Sequence, residues 1–112
     1  MPSKPNKSQK EQAGSYYQLS EIRDSIKHGK VLLRPNALDE ARKAFGWLSE
    51  DILKALLALK PNHFYKSEKS FFDPKVVLDF YKAPGLMGEN VYTHFYVNDH
   101  TGELVINSFK EI

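Results

Sequence analysis

The apolar residues of this chain change their spacing about half way along it. In the first half they recur every three or four positions, the period of a helix with one buried face. Leu19, Ile22 and Ile26 follow it, with Ser20 as N-cap and Glu21 in the first turn; Lys27 and His28 precede a terminating Gly29. Val31-Leu32-Leu33-Arg34 is a short extended piece that stops at Pro35. A second helix starts at Asn36 or Asp39 and runs through Ala37, Leu38, Ala41, Ala44 and Phe45 to Gly46. A third starts at Ser49, with Glu50 and Asp51 serving its first turn, and its stripe is Ile52, Leu53, Leu56, Leu57 and Leu59.

Past Pro61-Asn62 the period drops towards two and aromatic and β-branched residues become frequent, which predicts strands. The expected strands are 63–67, 75–82, 91–97 and 103–109, with 83–90 a loop of strong turn formers and 98–102 a turn. Successive strand side chains point to opposite faces, so Val91, Phe95 and Val97 can enter a core while Tyr92, His94 and Tyr96 look the other way. On the second strand Val76, Leu78 and Phe80 make an apolar face and Asp79 and Tyr81 look away from it. Helices first and an antiparallel meander afterwards make an α+β fold, with N-terminal helices packed on a C-terminal antiparallel sheet.

With 112 residues, 41% of them hydrophobic and 27% charged, the chain is expected to form one soluble domain. Residues 1–15 are rich in Lys, Ser, Pro and Gln and read as a disordered lead-in, leaving 16–112 as the domain. There is no cysteine, no apolar run of membrane-spanning length and no apolar centre of a secretory leader, so the cytoplasm is the expected compartment. A net charge of +2 permits a nucleic-acid partner without requiring one.

No phosphate-binding glycine loop, dinucleotide fingerprint or metal-spaced His/Asp set occurs, and His28, His63, His94 and His100 are scattered. Chemistry without a cofactor, or binding alone, is left. RNA can be cut without a metal because its own 2′-hydroxyl is the nucleophile. Such a reaction needs a base for that hydroxyl, an acid for the leaving 5′-oxygen, and cations around the phosphate. The strand half supplies Lys66, Lys69, Lys75, Tyr81, Lys82, Tyr92, His94 and Lys110. Each also has an ordinary structural use: a strand lysine is commonly a solvated edge residue, and a strand tyrosine is commonly half-buried packing.

Phe64-Tyr65-Lys66-Ser67, Asp79-Phe80-Tyr81, Val91-Tyr92 and Ser108-Phe109-Lys110-Glu111 follow one another in an order and at spacings that resemble the MqsR family, toxins of the motility quorum-sensing regulator type. Tyr17-Gln18-Leu19, Gly29-Lys30-Val31, Ala37, Ala41 and Gly46 fit the same framework, so the resemblance covers roughly residues 16–112. It implies a RelE-like α+β fold and an endoribonuclease that cuts messenger RNA at short GCU-containing sequences without a metal or other cofactor. It also implies a partner antitoxin of the MqsA kind, through which DNA is bound indirectly, and no membrane partner. Carried over by motif, the active-site residues are Lys66, Tyr92 and Lys110. A glutamine of the family falls at Leu78, which can neither donate nor accept a hydrogen bond, and His94, on the face of Tyr92, is a candidate to compensate as acid or base. Lys69, Lys75, Lys82 and Tyr81 are expected to guide or stack RNA. The competing expectation is a catalytically weak toxin-like module that binds RNA or its antitoxin only, and a third is an interaction protein that pairs a sheet edge with a partner strand.

Overall fold

The computed structural model describes residues 14–112 and has the α+β architecture expected from the sequence. Helices α1 (Leu19–Lys27), α2 (Pro35–Phe45) and α3 (Ser49–Leu57) pack on a five-stranded sheet of β1 (Val31–Leu33), β2 (Phe64–Lys69), β3 (Val77–Leu86), β4 (Glu89–Val97) and β5 (Leu104–Glu111). The spatial order is β1-β5-β4-β3-β2, with β1 parallel to β5 and all other pairs antiparallel. The expected disorder of residues 1–15 lies outside the described residues as far as residue 13; Ser15 is already buried.

The helices form where their apolar stripes place them, but begin earlier than the capping residues alone indicated. Gln18, not Ser20, is the N-cap of α1, and its backbone N–H donates to Glu21 Oε2 at 3.0 Å. Pro35 occupies the first turn of α2, where its missing N–H costs nothing. Gly46 ends that helix in the left-handed conformation (φ 72°) that a side chain disfavours. Ser49 is the first residue of α3, and the N–H of Leu48 donates to Asp51 Oδ2 at 3.0 Å, which keeps that carboxylate in a structural role.

The short extended piece forms as expected, as Val31–Leu33, and its pairing with Leu104–Ile106 makes it one edge of the sheet. Two expectations for the strands are corrected. The expected loop 83–90 is mostly strand: β3 and β4 meet in a tight hairpin whose two linking residues, Met87 (φ 51°) and Gly88 (φ 84°), both lie at positive φ, the backbone of a two-residue hairpin turn. Pro84, which has no N–H to give a ladder, falls where the pairing register shifts between Ala83 and Leu86.

The two faces of β3 are also reversed. Asp79, Tyr81 and Ala83 are fully buried on the helix side, whereas Leu78 and Phe80 lie on the open side. The core joins Tyr81, Val91, Phe95, Leu104, Ile106 and Phe109 of the sheet to Ile22, Ala37, Ala41, Ile52 and Leu56 of the helices. Asp79 is tolerated there because it is well bonded: Tyr17 N donates to it at 2.8 Å, Tyr16 N at 3.1 Å, and the Ser67 hydroxyl donates as well. It thereby ties the segment ahead of α1 to the sheet.

Candidate functional site

The open face of the sheet is organised by register. Lys66 on β2, Phe80 on β3, His94 on β4 and Ser108 on β5 are successive partners, so their side chains form one row across the sheet. Lys82, Tyr92 and Lys110 form the next row. Neighbouring strands are about 4.8 Å apart, which brings all of these within a few side-chain lengths.

Two irregularities are needed to aim the lysines. Phe64 and Lys66 are two residues apart and would share a face in a regular strand, yet the register shifts between them. Phe64 packs edge-to-face on buried Tyr81 with ring centroids 5.7 Å apart, while Lys66 stands on the opposite face above Phe80. On β5 the shift at Asn107 does the same: Ile106 is buried in the core, and Ser108 and Lys110 turn to the open face. Such bulges are a common way to re-aim a side chain beside a working site.

Four of the sequence-predicted residues therefore converge. The Tyr92 hydroxyl lies 3.1 Å from His94 Nδ1. The imidazole rests on Phe80, with ring centroids 4.7 Å apart. Lys110 Nζ lies 5.4 Å from the Tyr92 ring centre, and Lys66 Nζ lies 5.0 Å from that of Phe80. Lys82 is on the same face, its ammonium 4.0 Å above the ring of Tyr65, the bulged residue of β2. Cations on aromatic faces are held without neutralising them, which keeps Lys82 and Lys110 ready for an anion.

Two acidic residues that sequence reasoning did not single out share the site. Glu68 accepts a 2.8 Å bond from Lys66 Nζ, and this pairing makes the Lys66 ammonium hold its proton more tightly than usual. Glu40 reaches in from α2, where its Oε1 accepts from Ser108 Oγ at 2.8 Å and from the Phe109 N–H at 3.0 Å. It covers β5 beyond the short β1 and adds a negative charge near His94 and Tyr92. Nothing local marks Glu40, because its partners are 68 and 69 residues away.

Burial pushes the His94 imidazole below its ordinary range; Glu40 opposes this, and Lys110 and Lys66 add to it. This favours the neutral imidazole, the form that can accept a proton. Burial pushes the Tyr92 phenol up, with Lys66 opposing, so it stays protonated and can donate a hydrogen bond.

The remaining expected residues stand elsewhere. Tyr81 is fully buried, its ring stacked on Phe95 at 5.4 Å and 19°, which removes it from any role in stacking a base. Lys69 pairs with Val77 on the Asp79 side of the sheet, opposite to Lys66. Lys75, in the 70–76 loop, lines a groove with Tyr16, Asp99 and His100 away from the His94 cluster. Of the other histidines, His28 pairs with Asp24 at 3.4 Å, His63 Nδ1 accepts the Lys60 N–H at 3.0 Å, and His100 is exposed in the turn between β4 and β5. Leu78 is half-buried on the open face and lines, with His94, a cavity of about 620 Å³. Among the described residues no helix is long and apolar enough to cross a membrane.

No curated protein matches the chain. The sequence model of one family, described as motility quorum-sensing regulator, toxin of MqsA, matches residues 14–111. That span takes in both rows of the open face and the helices behind it, and on this match the chain belongs to the MqsR toxins, the toxin component of a toxin–antitoxin system whose partner is an MqsA-type antitoxin.

Proposed function

We propose that the protein is a metal-independent endoribonuclease that cuts messenger RNA, at the GCU-containing sequences its family resemblance implies. The single observation that supports this most is the placing of Lys66, Tyr92, His94 and Lys110 on one open sheet face, with the His94 imidazole 3.1 Å from the Tyr92 phenol.

In this reading the RNA phosphate displaces Glu68 from Lys66 and lies between the Lys66 and Lys110 ammonium groups. His94 Nδ1–H donates to the Tyr92 oxygen, and Nε2 takes the proton of the 2′-hydroxyl as that oxygen attacks phosphorus. Tyr92 O–H donates to a non-bridging phosphate oxygen as its charge grows. The bond from phosphorus to the 5′-oxygen breaks, and Lys110 supplies the proton that the leaving oxygen needs. Lys66 suits the clamp better than the acid, since pairing with Glu68 strengthens its hold on its proton. The products are a 2′,3′-cyclic phosphate and a 5′-hydroxyl. Lys82 extends the positive surface towards the flanking backbone.

A second reading, a toxin-like module that binds RNA or its antitoxin without cutting, is favoured by Leu78. It stands where the family glutamine falls, beside His94, and offers no hydrogen bond. Incubating a GCU-containing RNA with wild type and Lys66→Ala, in EDTA, separates the two. Specific cuts by wild type alone, ending in a cyclic phosphate, support the enzyme; intact RNA with folded wild type leaves the binding module.

A further inference from the structure

The cavity of about 620 Å³ beside His94 is of the size and make-up that hold a small planar ligand. Its outer wall is the 70–76 loop, which carries Phe71 and Phe72, exposed by 92% and 93% and packed edge-to-face at 5.3 Å. Two neighbouring phenyl rings left almost wholly in water are costly for a folded domain, which is a reason to expect them at a contact. The loop that carries them is closed by its own bonds, Ser70 N to Val76 O at 2.8 Å and Val76 N to Asp73 O at 2.9 Å. The rings are thus presented from a defined backbone.

Leu78 and Val76 add apolar lining, and Arg34, Asn36 and Asn107 add polar lining. Arg34 is anchored there by its Nε, which donates to Asn107 Oδ1 at 3.0 Å. This leaves its terminal guanidinium nitrogens for an acceptor on a ligand. Aromatic rings for a face and a guanidinium for an edge are the two things a nucleobase needs from a protein.

We infer that this cavity is a nucleobase subsite, and that it takes the base of the nucleotide whose 2′-oxygen attacks. The inference rests on the ribonuclease reading for its placement. His94 lines both the cavity and the catalytic cluster, so the nucleoside whose 2′-hydroxyl meets the imidazole has its base on the cavity side. Its base stacks on Phe71 or Phe72, covers Leu78, and offers a carbonyl or ring nitrogen to Arg34. Leu78 then has a use as apolar lining against a base.

The test uses the full chain and a labelled, uncleavable 2′-fluoro RNA pentamer centred on GCU, with an abasic nucleotide walked through every position. Affinity is read by fluorescence anisotropy. One position should lose about tenfold on removal of its base, the effect of one aromatic stack. That position should be the one 5′ of the cut in unmodified RNA. Phe71→Ala/Phe72→Ala, two surface changes that leave the core intact, should weaken the intact pentamer about tenfold and abolish the dependence on that base. Lys66→Ala should weaken all pentamers alike. Wild-type binding that ignores every base overturns the subsite, as does a double variant that keeps the dependence. A double variant that binds RNA normally but loses the antitoxin also overturns it, and makes the loop a protein contact. Cleavage of unmodified RNA is scored separately: base dependence without cleavage removes the ribonuclease reading and keeps the site, and cleavage without base dependence does the reverse.

Discussion

Replacing His94 by glutamine tests the proposed chemistry most directly, because burial and the surrounding charges bias the imidazole towards its neutral form at a defined position. Burial disfavours the imidazolium, Glu40 favours it and Lys110 and Lys66 disfavour it, and the balance falls below the ordinary histidine range. A base of this kind is fully competent at pH 7 and is lost as the pH falls through its pKa. The acid limb of kcat/KM should therefore lie below pH 6.5. Glutamine keeps a polar group next to Tyr92 and cannot take a proton. The lysine clamp is untouched, so the loss should be that of general-base catalysis alone, about 10²–10⁴-fold, or roughly 3–5 kcal/mol of barrier. The limb should vanish with it. Glu40→Gln keeps the acceptor for Ser108 and Phe109 but removes the charge, so the limb should move to lower pH. The assay is single-turnover cleavage of a GCU-containing RNA from pH 5 to 8, with the His94 ring followed by NMR in the same samples. His94→Gln within tenfold of wild type and with the limb intact would refute the assignment, and a limb that Glu40→Gln raises would refute the electrostatics.

Lys66→Ala and Lys110→Ala should each lower kcat/KM about 10²–10³-fold, as for loss of one donor to a charged transition state, with unfolding free energy within about 0.5 kcal/mol of wild type. Asp79→Ala removes the acceptor of Tyr16 N, Tyr17 N and the Ser67 hydroxyl and should cost about 3 kcal/mol in urea unfolding. Burial raises the pKa of Asp79, so the folded state binds its proton more readily than the unfolded chain. Wild type should then gain stability relative to Asp79→Asn as pH falls through that raised value, the gain being complete below 3.8. Leu78→Gln, on the half-buried open face, should fold normally and raise cleavage if a hydrogen-bonding side chain beside His94 assists the phosphate; equal or lower cleavage by quantitative gel assay refutes that.

What the sequence made legible depended on whether a segment's own pattern carried the signal. β4 is the middle strand, and Val91, Thr93, Phe95 and Val97 all bury on one side, so alternation placed Tyr92 and His94 correctly. The stripe of α3 held for Ile52 and Leu56 because a 3.6-residue period needs no distant partner. β3 misleads because both of its faces are largely apolar; Leu78 and Phe80 look like core until Asp79 is known to meet the N–H groups of Tyr16 and Tyr17, more than sixty residues away. Tyr81 was lost to the same reversal. Glu40 was invisible for a related reason, since a glutamate on an amphipathic helix is ordinary until the uncovered stretch of β5 is placed beside it.

The two bulges explain how the motifs on β2 and β5 each turn a lysine to the open face and why no periodicity could have paired them. In regular strands Lys66 would point with Phe64 and Lys110 with Ile106, and each ammonium would enter the apolar core, where an unpaired charge is far too costly to keep. One extra residue on each strand, Tyr65 on β2 and Asn107 on β5, turns the following residues over and leaves Phe64 and Ile106 where the core needs them. The bulged residues then serve the same face: Tyr65 lies under Lys82, and Asn107 accepts from Arg34 and, through its carbonyl, from Asn36. A core and a cationic face are thus built from the same strands, and the side chains the bulges reorient are those on which the proposed chemistry rests.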